Sequence, residues 1–313
     1  MSRAIIKEEK LSLHPRNRNR ERYDLKAMIL SNPELKDYIV PNKLGLDSID
    51  FANPYAVKVL NKALLNHYYG IKNWEFPDEN LCPPIPGRAE YIHFVADLLS
   101  ENNNGKIPIG NNVTCLDIGV GASCIYPIIG VVEYGWNFIC SDISETSISS
   151  AENIVDSNPE LKGKIVFRKQ TLSKSIFHGI INQQDKIDIS ICNPPFHASA
   201  EDAAHGTLRK IRNLNGGKPN IVKLNFSGIN KELIFEGGEI QFISNMISES
   251  KEYAKSCLWF STIVSKESNL KAIYKALNKQ NPVEIRTINI NTANKTSRIV
   301  AWTFLTPEEK KKW

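Results

Sequence analysis

The spacing of hydrophobic residues changes near residue 113. Before it, apolar side chains recur every three or four positions, as on one face of a helix; after it, short apolar runs alternate with helical segments. The apolar runs predict strands at 113–118, 137–142, 164–168, 187–192, 256–264, 283–290 and 298–305. Helices are predicted between them at 124–134, 145–156, 172–181, 238–253 and 268–279.

This alternation predicts an α/β fold in which helices cover both faces of a mostly parallel sheet. The last two strands follow one another without a helix, so they are expected to form an antiparallel hairpin at one edge. A seven-stranded sheet with a C-terminal antiparallel hairpin is the Rossmann-like architecture of methyltransferases that use S-adenosylmethionine (SAM).

Three further segments set the domain organisation. Residues 1–26 form a basic N-terminal arm, and residues 27–100 form a helical extension that precedes a methyltransferase domain at 101–313. In the extension, Asn32-Pro33 and Asn53-Pro54 each predict a helix start, the second helix ending at Gly70. A third helix is expected at 89–100, after a proline-rich stretch.

A basic insertion at 197–233 interrupts the alternation between the fourth strand and the next helix. It is rich in Gly, Asn and Lys, and an unstructured connection of this length is usually functional or disordered. It begins where a substrate would lie above the sheet.

Charge permits a polyanionic partner without requiring one. The 313 residues carry a net charge of +5 with a pI near 8.7. In the arm, arginines alternate with other residues from Arg16 to Arg22, so they would share one face of an extended chain and could follow a phosphate backbone. A solvated terminus explains the same pattern.

The remaining composition favours a reduced, cytoplasmic protein. The N-terminus has no signal-like apolar stretch, and the most apolar run, 113–132, is interrupted by Asp117, two glycines and Pro127, so no membrane span is predicted. The six cysteines form no Cys-x-x-Cys pair, and no metal site is expected.

Gly119-Val120-Gly121 follows the first strand and precedes a helix, which predicts a loop whose backbone closely approaches a ligand. Asp142 ends the second strand, where a carboxylate can accept hydrogen bonds from ribose hydroxyls. Capping of the next helix is the alternative role for Asp142. Dinucleotide sites need a small residue where this chain has Cys124, so the loop favours a cofactor without a pyrophosphate, such as SAM.

Asn193-Pro194-Pro195-Phe196 follows the fourth predicted strand. The prolines restrict the backbone, so the Asn193 side chain and nearby carbonyls point to one spot above the sheet. Phe196 can stack on a planar ring while two acceptors bind both hydrogens of its exocyclic amine. This tetrapeptide is the signature of SAM-dependent amino-methyltransferases. His197 is interpreted as a pocket or loop residue, not a general base.

Across nearly its full length the chain resembles the bacterial 23S rRNA adenine-N6 methyltransferases, which are related to the eukaryotic methyltransferase-like enzyme that modifies U6 small nuclear RNA. The stretches that carry the resemblance are 83–93 (PPIPGRAEYIH), 116–127 (LDIGVGASCIYP), 192–196 (CNPPF) and 294–304 (NKTSRIVAWTF).

The resemblance implies N6-methylation of a specific adenosine in 23S ribosomal RNA, free or in a large-subunit assembly intermediate, by a monomer that uses SAM. The implied catalytic residues are Asn193, Pro194, Pro195 and Phe196. The implied cofactor residues are Arg88, Asp117, Gly119, Gly121, Asp142 and Thr171. The residues expected to contact RNA are Arg16, Arg18, Arg20, Arg22, Arg209, Lys210 and Arg212.

Three other functions remain open. A protein glutamine-N5 methyltransferase uses a similar tetrapeptide, although usually with Tyr where this chain has Phe196. DNA adenine methylation is possible because the pocket contacts only a flipped base. A catalytically inactive RNA-binding relative is the third alternative, against which the intact glycine loop and tetrapeptide argue.

Overall fold

The computed structural model describes residues 13–199, 234–292 and 295–313. The first twelve residues of the predicted arm and most of the predicted insertion therefore lie outside the described residues, and so do Arg209, Lys210 and Arg212. Nothing below concerns their structure.

The N-terminal extension is largely helical, as predicted. Its elements are α1 (Leu25–Ser31), a 3₁₀ helix (Pro33–Tyr38), the paired short strands β1 (Ile39–Pro41) and β2 (Asp47–Ile49), α2 (Pro54–Tyr69) and α3 (Ile85–Glu101). Asn53 caps α2 by accepting hydrogen bonds from the next amides, and Gly70 ends it in the left-handed conformation at φ +72°. Both ends of α2 match the prediction.

Two predictions in the extension differ from the structure. A helix does begin at Pro33, but it is a 3₁₀ helix, and the Asn32 side chain makes no cap; its Nδ2 donates to the Val59 carbonyl at 3.5 Å instead. Helix α3 begins at Ile85 and not at residue 89. Pro86 fits the first turn because the amide it lacks would have no helical partner there.

The sheet of the second part has seven strands. They are β3 (Thr114–Ile118), β4 (Asn137–Asp142), β5 (Ile165–Lys169), β6 (Ile187–Cys192), β7 (Cys257–Val264), β8 (Glu284–Thr292) and β9 (Lys295–Thr303). Their order is β5-β4-β3-β6-β7-β9-β8. Strands β3 to β7 pair parallel with one another, and β9 pairs antiparallel with both β7 and β8. The predicted fold class and terminal hairpin are confirmed.

Helices and buried side chains cover both sheet faces. The remaining helices are α4 (Ile125–Tyr134), α5 (Glu145–Asp156), α6 (Gly238–Ser250), α7 (Leu270–Gln280) and α8 (Pro307–Lys311). One hydrophobic core joins α2 to α5 with the sheet, and a second joins it with α6, α7 and residues 176–181. The helical extension is thus packed onto one sheet face and not separated from it.

The helix predicted at 172–181 is wrong, because this segment forms turns. Its residues Ile176, Phe177, Ile180 and Ile181 are buried as the pattern indicated, whereas Leu172 is exposed. However, the Glu249 carboxylate accepts the backbone N–H groups of Ile176 at 2.8 Å, Phe177 at 3.0 Å and His178, so these donors are unavailable for helical hydrogen bonds. Gly179, at φ +80°, bends the chain further.

Among the described residues, no helix is long and apolar enough to cross a membrane. The six cysteines are unpaired, and the four that lie in strands are buried there as small apolar side chains.

Candidate active site

The two sequence motifs meet where the strand order reverses. The chain runs outward from β3 through β4 to β5 and then returns to the other side of β3 as β6. Ile118 and Cys192, the last residues of β3 and β6, are paired neighbours. Gly119 and Asn193 therefore leave the sheet side by side, at the crevice where open α/β sheets bind ligands.

The glycine loop has backbone angles suited to glycine. Gly119 lies at φ +74° and Gly121 at φ +65°, a region that other residues adopt at a cost. The amides of Gly119 and Val120 donate to the Ser141 carbonyl at 2.9 and 3.0 Å, which ties the loop to β4. No described atom lies within 4 Å of where a Cβ on either glycine would be, so both face open space.

Asp142 holds the loop in place from the end of β4. Its Oδ2 accepts the Gly121 N–H at 3.0 Å and its Oδ1 accepts the Ser144 N–H at 2.9 Å. Burial raises the pKa of this carboxyl, and the backbone hydrogen bonds oppose that rise. Ser144 caps helix α5, so Asp142 supports the turn before the helix without being its cap.

Asp117 is a buried carboxylate without compensation. It is 1% exposed, and within the described residues neither of its oxygens has a hydrogen-bond partner. Burial and the nearby charge of Asp142 raise its pKa to about 8, whereas Arg88 acts in the opposite direction. A buried carboxylate that lacks partners is costly, which makes this position suited to a ligand that carries a positive charge or hydrogen-bond donors.

Arg88 reaches the same crevice from helix α3. One of its guanidinium nitrogens donates to the Tyr126 hydroxyl at 3.0 Å, and the guanidinium lies over the Tyr126 ring, 5.5 Å from its centroid. Tyr126 belongs to α4, the helix that follows the glycine loop. The N-terminal extension thus places a cation against the helix that follows the loop, and the role of Arg88 in holding a cofactor stays a prediction.

Thr171 lies at the same sheet edge but is exposed. It follows Gln170, whose backbone N–H donates to the Asp142 carbonyl at 2.9 Å. The structure therefore brings Thr171 near the level of Asp142, one strand farther from the crevice.

The acceptor motif is half-buried. The Oδ1 atom of Asn193 is buried and has no hydrogen-bond partner in the part of the chain that the structure describes. Pro194 is buried, and Phe196 is partly exposed. After the motif, the His197 carbonyl accepts the Phe235 N–H at 3.0 Å, which joins the two ends of the insertion. Asn193 thus presents an unused acceptor beside the glycine loop.

Tyr91 supports this motif, a role that the sequence analysis did not assign. Its side chain from α3 is fully buried, and its hydroxyl accepts the Cys192 N–H at 3.3 Å and lies 2.9 Å from Ser261 Oγ. Ser261 in turn donates to the Ser190 carbonyl at 2.7 Å. Tyr91 lies in the 83–93 stretch that carries the family resemblance, which was the only available signal.

The described part of the arm that carries the arginines is not an extended chain. Residues 13–22 form turns, and Arg16 donates to Asp97 at 2.8 Å and to the Tyr134 hydroxyl at 2.9 Å. Arg18 forms an ion pair with Glu133 at 2.8 Å. Both side chains contact the domain, which differs from the extended arm that the alternation predicted.

The rest of the arm is anchored by buried amides. Asn17 donates to the buried Glu90 carboxylate at 2.6 Å, and the His14 N–H donates to the same carboxylate at 2.8 Å. Arg20 is partly buried, whereas Arg22 is exposed. Glu90 precedes Tyr91, so α3 contacts the arm and the acceptor strand through adjacent residues.

Known proteins similar to this chain include RNA methyltransferases. The profile of a family described as RNA methyltransferase matches residues 7–306. A ribosomal RNA large subunit methyltransferase F from Cytophaga hutchinsonii is 54% identical over 301 residues, covering 96% of this chain and 94% of the relative. Its counterpart from Yersinia enterocolitica is 50% identical, covering 100% and 93%.

Solved structures with the same architecture come from human METTL16. Its catalytic domain in complex with the MAT2A 3′UTR hairpin 1 has a TM-score of 0.79 and 28% identity, covering 94% of this chain and 96% of that one. Its N-terminal domain in complex with SAH has a TM-score of 0.74 and 25% identity, covering 94% and 99%.

Proposed function

The chain belongs to the RNA methyltransferase family and takes its methyl group from SAM, and we propose that it methylates the N6 amine of a specific adenosine in 23S ribosomal RNA. Its bacterial relatives are ribosomal RNA large subunit methyltransferases, which supports the large ribosomal subunit as the source of the RNA. The family membership favours RNA over a protein glutamine as the acceptor.

The Oδ1 of Asn193, which is buried and has no hydrogen-bond partner among the described residues, is the observation that carries this proposal. The N6 amine of adenine is a poor nucleophile because its lone pair is delocalised into the ring. If Asn193 Oδ1 and the Pro194 carbonyl each accept one amine hydrogen, the nitrogen becomes pyramidal and its lone pair is directed at the methyl donor. The motif thus activates the amine by placement, which can supply several kcal/mol of a barrier, roughly 7–11 at most.

The residues beside the glycine loop fit SAM. When bound, SAM supplies an electrophilic methyl group on a sulfonium cation. Neither oxygen of Asp117 has a hydrogen-bond partner among the described residues, so this carboxyl suits the ammonium of the methionine part of SAM. Arg88 suits the carboxylate of that methionine part. Asp142 uses two of about four acceptor sites on backbone amides, which leaves the others for ribose hydroxyls. The open space beside Gly119 allows close approach.

Phe196 is proposed to stack on the target adenine, which must leave its own stack at a cost of a few kcal/mol. Sequence-specific RNA recognition commonly targets such splayed bases. The arm arginines and the insertion residues are proposed to contact the RNA backbone, although Arg16 and Arg18 also serve the fold. The substrate is naked 23S rRNA or an assembly intermediate, bound by a monomer.

The proposal is tested by incubating the purified protein with labelled SAM and unmodified 23S rRNA, then separating the digested nucleosides. We expect the label in N6-methyladenosine. Label in another nucleoside, or in protein, would refute the N6 assignment. The same rRNA from a strain that retains the gene is the control, because its target is already methylated.

A further inference from the structure

Helix α7 carries three lysines on one face. Lys271, Lys275 and Lys279 are four residues apart, so they lie one above another along the helix. All three are exposed, and within residues 13–199, 234–292 and 295–313 none forms an ion pair. We call these three residues the lysine stripe.

The lysine stripe is unfavourable for the free helix. Like charges four residues apart destabilise a helix by about 0.2–0.5 kcal/mol per pair, and α7 contains no acidic residue to offset them. Lys271 lies in the first turn, where the helix dipole disfavours a cation. By contrast, Arg298 and Arg286 nearby in the chain each pair with a carboxylate. A bound polyanion would relieve this repulsion.

Helix α7 begins at the sheet edge where the acceptor motif lies, so the lysine stripe starts at that edge. Strand β7 ends at Val264, parallel to β6, so its carboxyl end lies at the same edge as Asn193. Ser265 N and Asn269 Nδ2 donate to the Glu239 carboxylate at 2.8 and 2.6 Å, which fixes the start of α7 at that edge.

From this edge the lysine stripe extends about 12 Å along the helix, at 1.5 Å per residue. The same open helix face carries Glu267, Leu270, Tyr274 and Asn278 beside the lysine stripe. Glu267, the carboxylate on this face, is paired with Arg298. The face therefore offers positive charge along a line that starts at the sheet edge of the acceptor motif.

We propose that the lysine stripe binds the phosphate backbone of the substrate RNA, away from the nucleotide that enters the pocket. The inference rests on the proposed function insofar as the ligand is the RNA that carries the target adenosine. The stripe belongs to a helix that is distinct in sequence from the arm and the insertion, so it would set how the RNA leaves the site and which RNAs bind well.

The test compares two triple variants with the same change in net charge. Lys271, Lys275 and Lys279 are replaced together by Gln, which has a helix propensity similar to that of Lys. In the control, Lys72, Lys106 and Lys162 are replaced by Gln; they are exposed and lie at the opposite edge, before parallel strands begin. Affinity for an rRNA fragment that contains the target is measured against salt concentration.

Loss of three phosphate contacts should reduce the slope of log affinity against log salt by roughly 2 to 3 in the stripe variant. The control should keep the wild-type slope. Equal slopes for wild type and stripe variant would overturn the inference. The proposed function is judged separately in the same samples, because it depends on whether the wild type forms N6-methyladenosine and not on the salt slope.

Discussion

The cofactor loop and the acceptor motif leave neighbouring strands, yet they differ in how their polar groups are satisfied. In the loop, Asp142 accepts two backbone hydrogen bonds, and the amides of Gly119 and Val120 are bonded to β4. In the motif, the Asn193 Oδ1 has no partner among the described residues. The polar groups of the loop thus have hydrogen-bond partners within the protein, whereas Asn193 Oδ1 in the motif is left to accept a hydrogen from the substrate.

The two regions also differ in the origin of their support. Loop contacts come from the next strand, whereas the acceptor strand depends on Tyr91 and Ser261, which are far away in the chain. Arg88 and Tyr91 are three residues apart on α3, so one helix serves both regions from nearby positions. The N-terminal extension thus contacts both regions, through Arg88 on the Tyr126 hydroxyl and through Tyr91 on the Cys192 N–H.

Replacing Asn193 by Ala should have the largest effect, because it should impair the acceptor motif and leave the cofactor loop unchanged. Without the amide oxygen, one amine hydrogen loses its acceptor, and we expect methyl transfer to fall by at least about 100-fold, the range found when one preorganised active-site hydrogen bond is removed. SAM affinity should stay close to wild type, as measured by calorimetry. Asn182→Ala, at an exposed turn, is the matched control. Transfer within a few-fold of wild type would contradict the role of Asn193.

Asp117→Asn tests, through pH, the buried carboxyl that precedes the loop in β3. The ordinary pKa of an aspartate carboxyl is 3.8, and burial raises the pKa of Asp117 in the folded protein to about 8, so between these values the folded state holds the extra proton. Raising the pH through this window therefore destabilises the SAM-free wild type, by at most about 1.4 kcal/mol per pH unit.

The Asp117→Asn variant should lack this pH dependence in urea unfolding. Its stability relative to wild type should grow as pH rises from acidic to mildly alkaline, while its SAM affinity is reduced. Parallel pH profiles for the two proteins would show that Asp117 is compensated in the apo state.

Tyr91→Phe tests the remote support of the acceptor motif. Loss of the hydroxyl leaves the Cys192 N–H and Ser261 without a shared partner, which costs about 1–3 kcal/mol of stability. We expect kcat to fall roughly tenfold, equivalent to about 1.4 kcal/mol. SAM affinity should be retained because Arg88 is unchanged. Tyr55→Phe, on a side chain that is 54% exposed, serves as control. If the variant is less stable but its kcat is unchanged, Tyr91 stabilises the fold and does not support methyl transfer.

The arm provides the smallest expected effects. Arg16→Gln removes contacts with Asp97 and Tyr134 and should lower stability by about 1 kcal/mol. Arg22→Gln, at an exposed position, should leave stability unchanged and reduce the salt slope of RNA binding by roughly 0.7–0.9. The reverse result, with Arg16 setting the slope and Arg22 the stability, would contradict the contacts described above.

Strands of the sheet were predictable within one or two residues in most cases because their apolar runs are local signals of burial. The hairpin is longer than predicted, since β8 and β9 continue to Thr292 and from Lys295. A helix was wrongly predicted at 172–181 because the buried apolar residues of this segment recur at helical spacing. Its backbone N–H groups are instead bound by Glu249, more than seventy residues away in the chain.

At the candidate site, sequence motifs placed Gly119, Asp142 and Asn193 at one sheet edge because Gly119 and Asn193 directly follow strands and Asp142 ends one. Tyr91 could not be assigned, since its contact with Cys192 spans 101 residues. The extended arm was wrongly predicted for a local reason. The backbone N–H groups of Asn17 and Arg20 donate to carbonyls three residues earlier, so this segment forms turns.

The most direct test of the central claim is the N6-methyladenosine content of 23S rRNA in a strain that lacks this gene. We expect one adenosine to lose its N6-methyl group, and expression of the wild type to restore it. The Asn193→Ala variant, produced at the same level, should not restore it. An unchanged N6-methyladenosine pattern in the deletion strain, or full restoration by Asn193→Ala, would contradict the account.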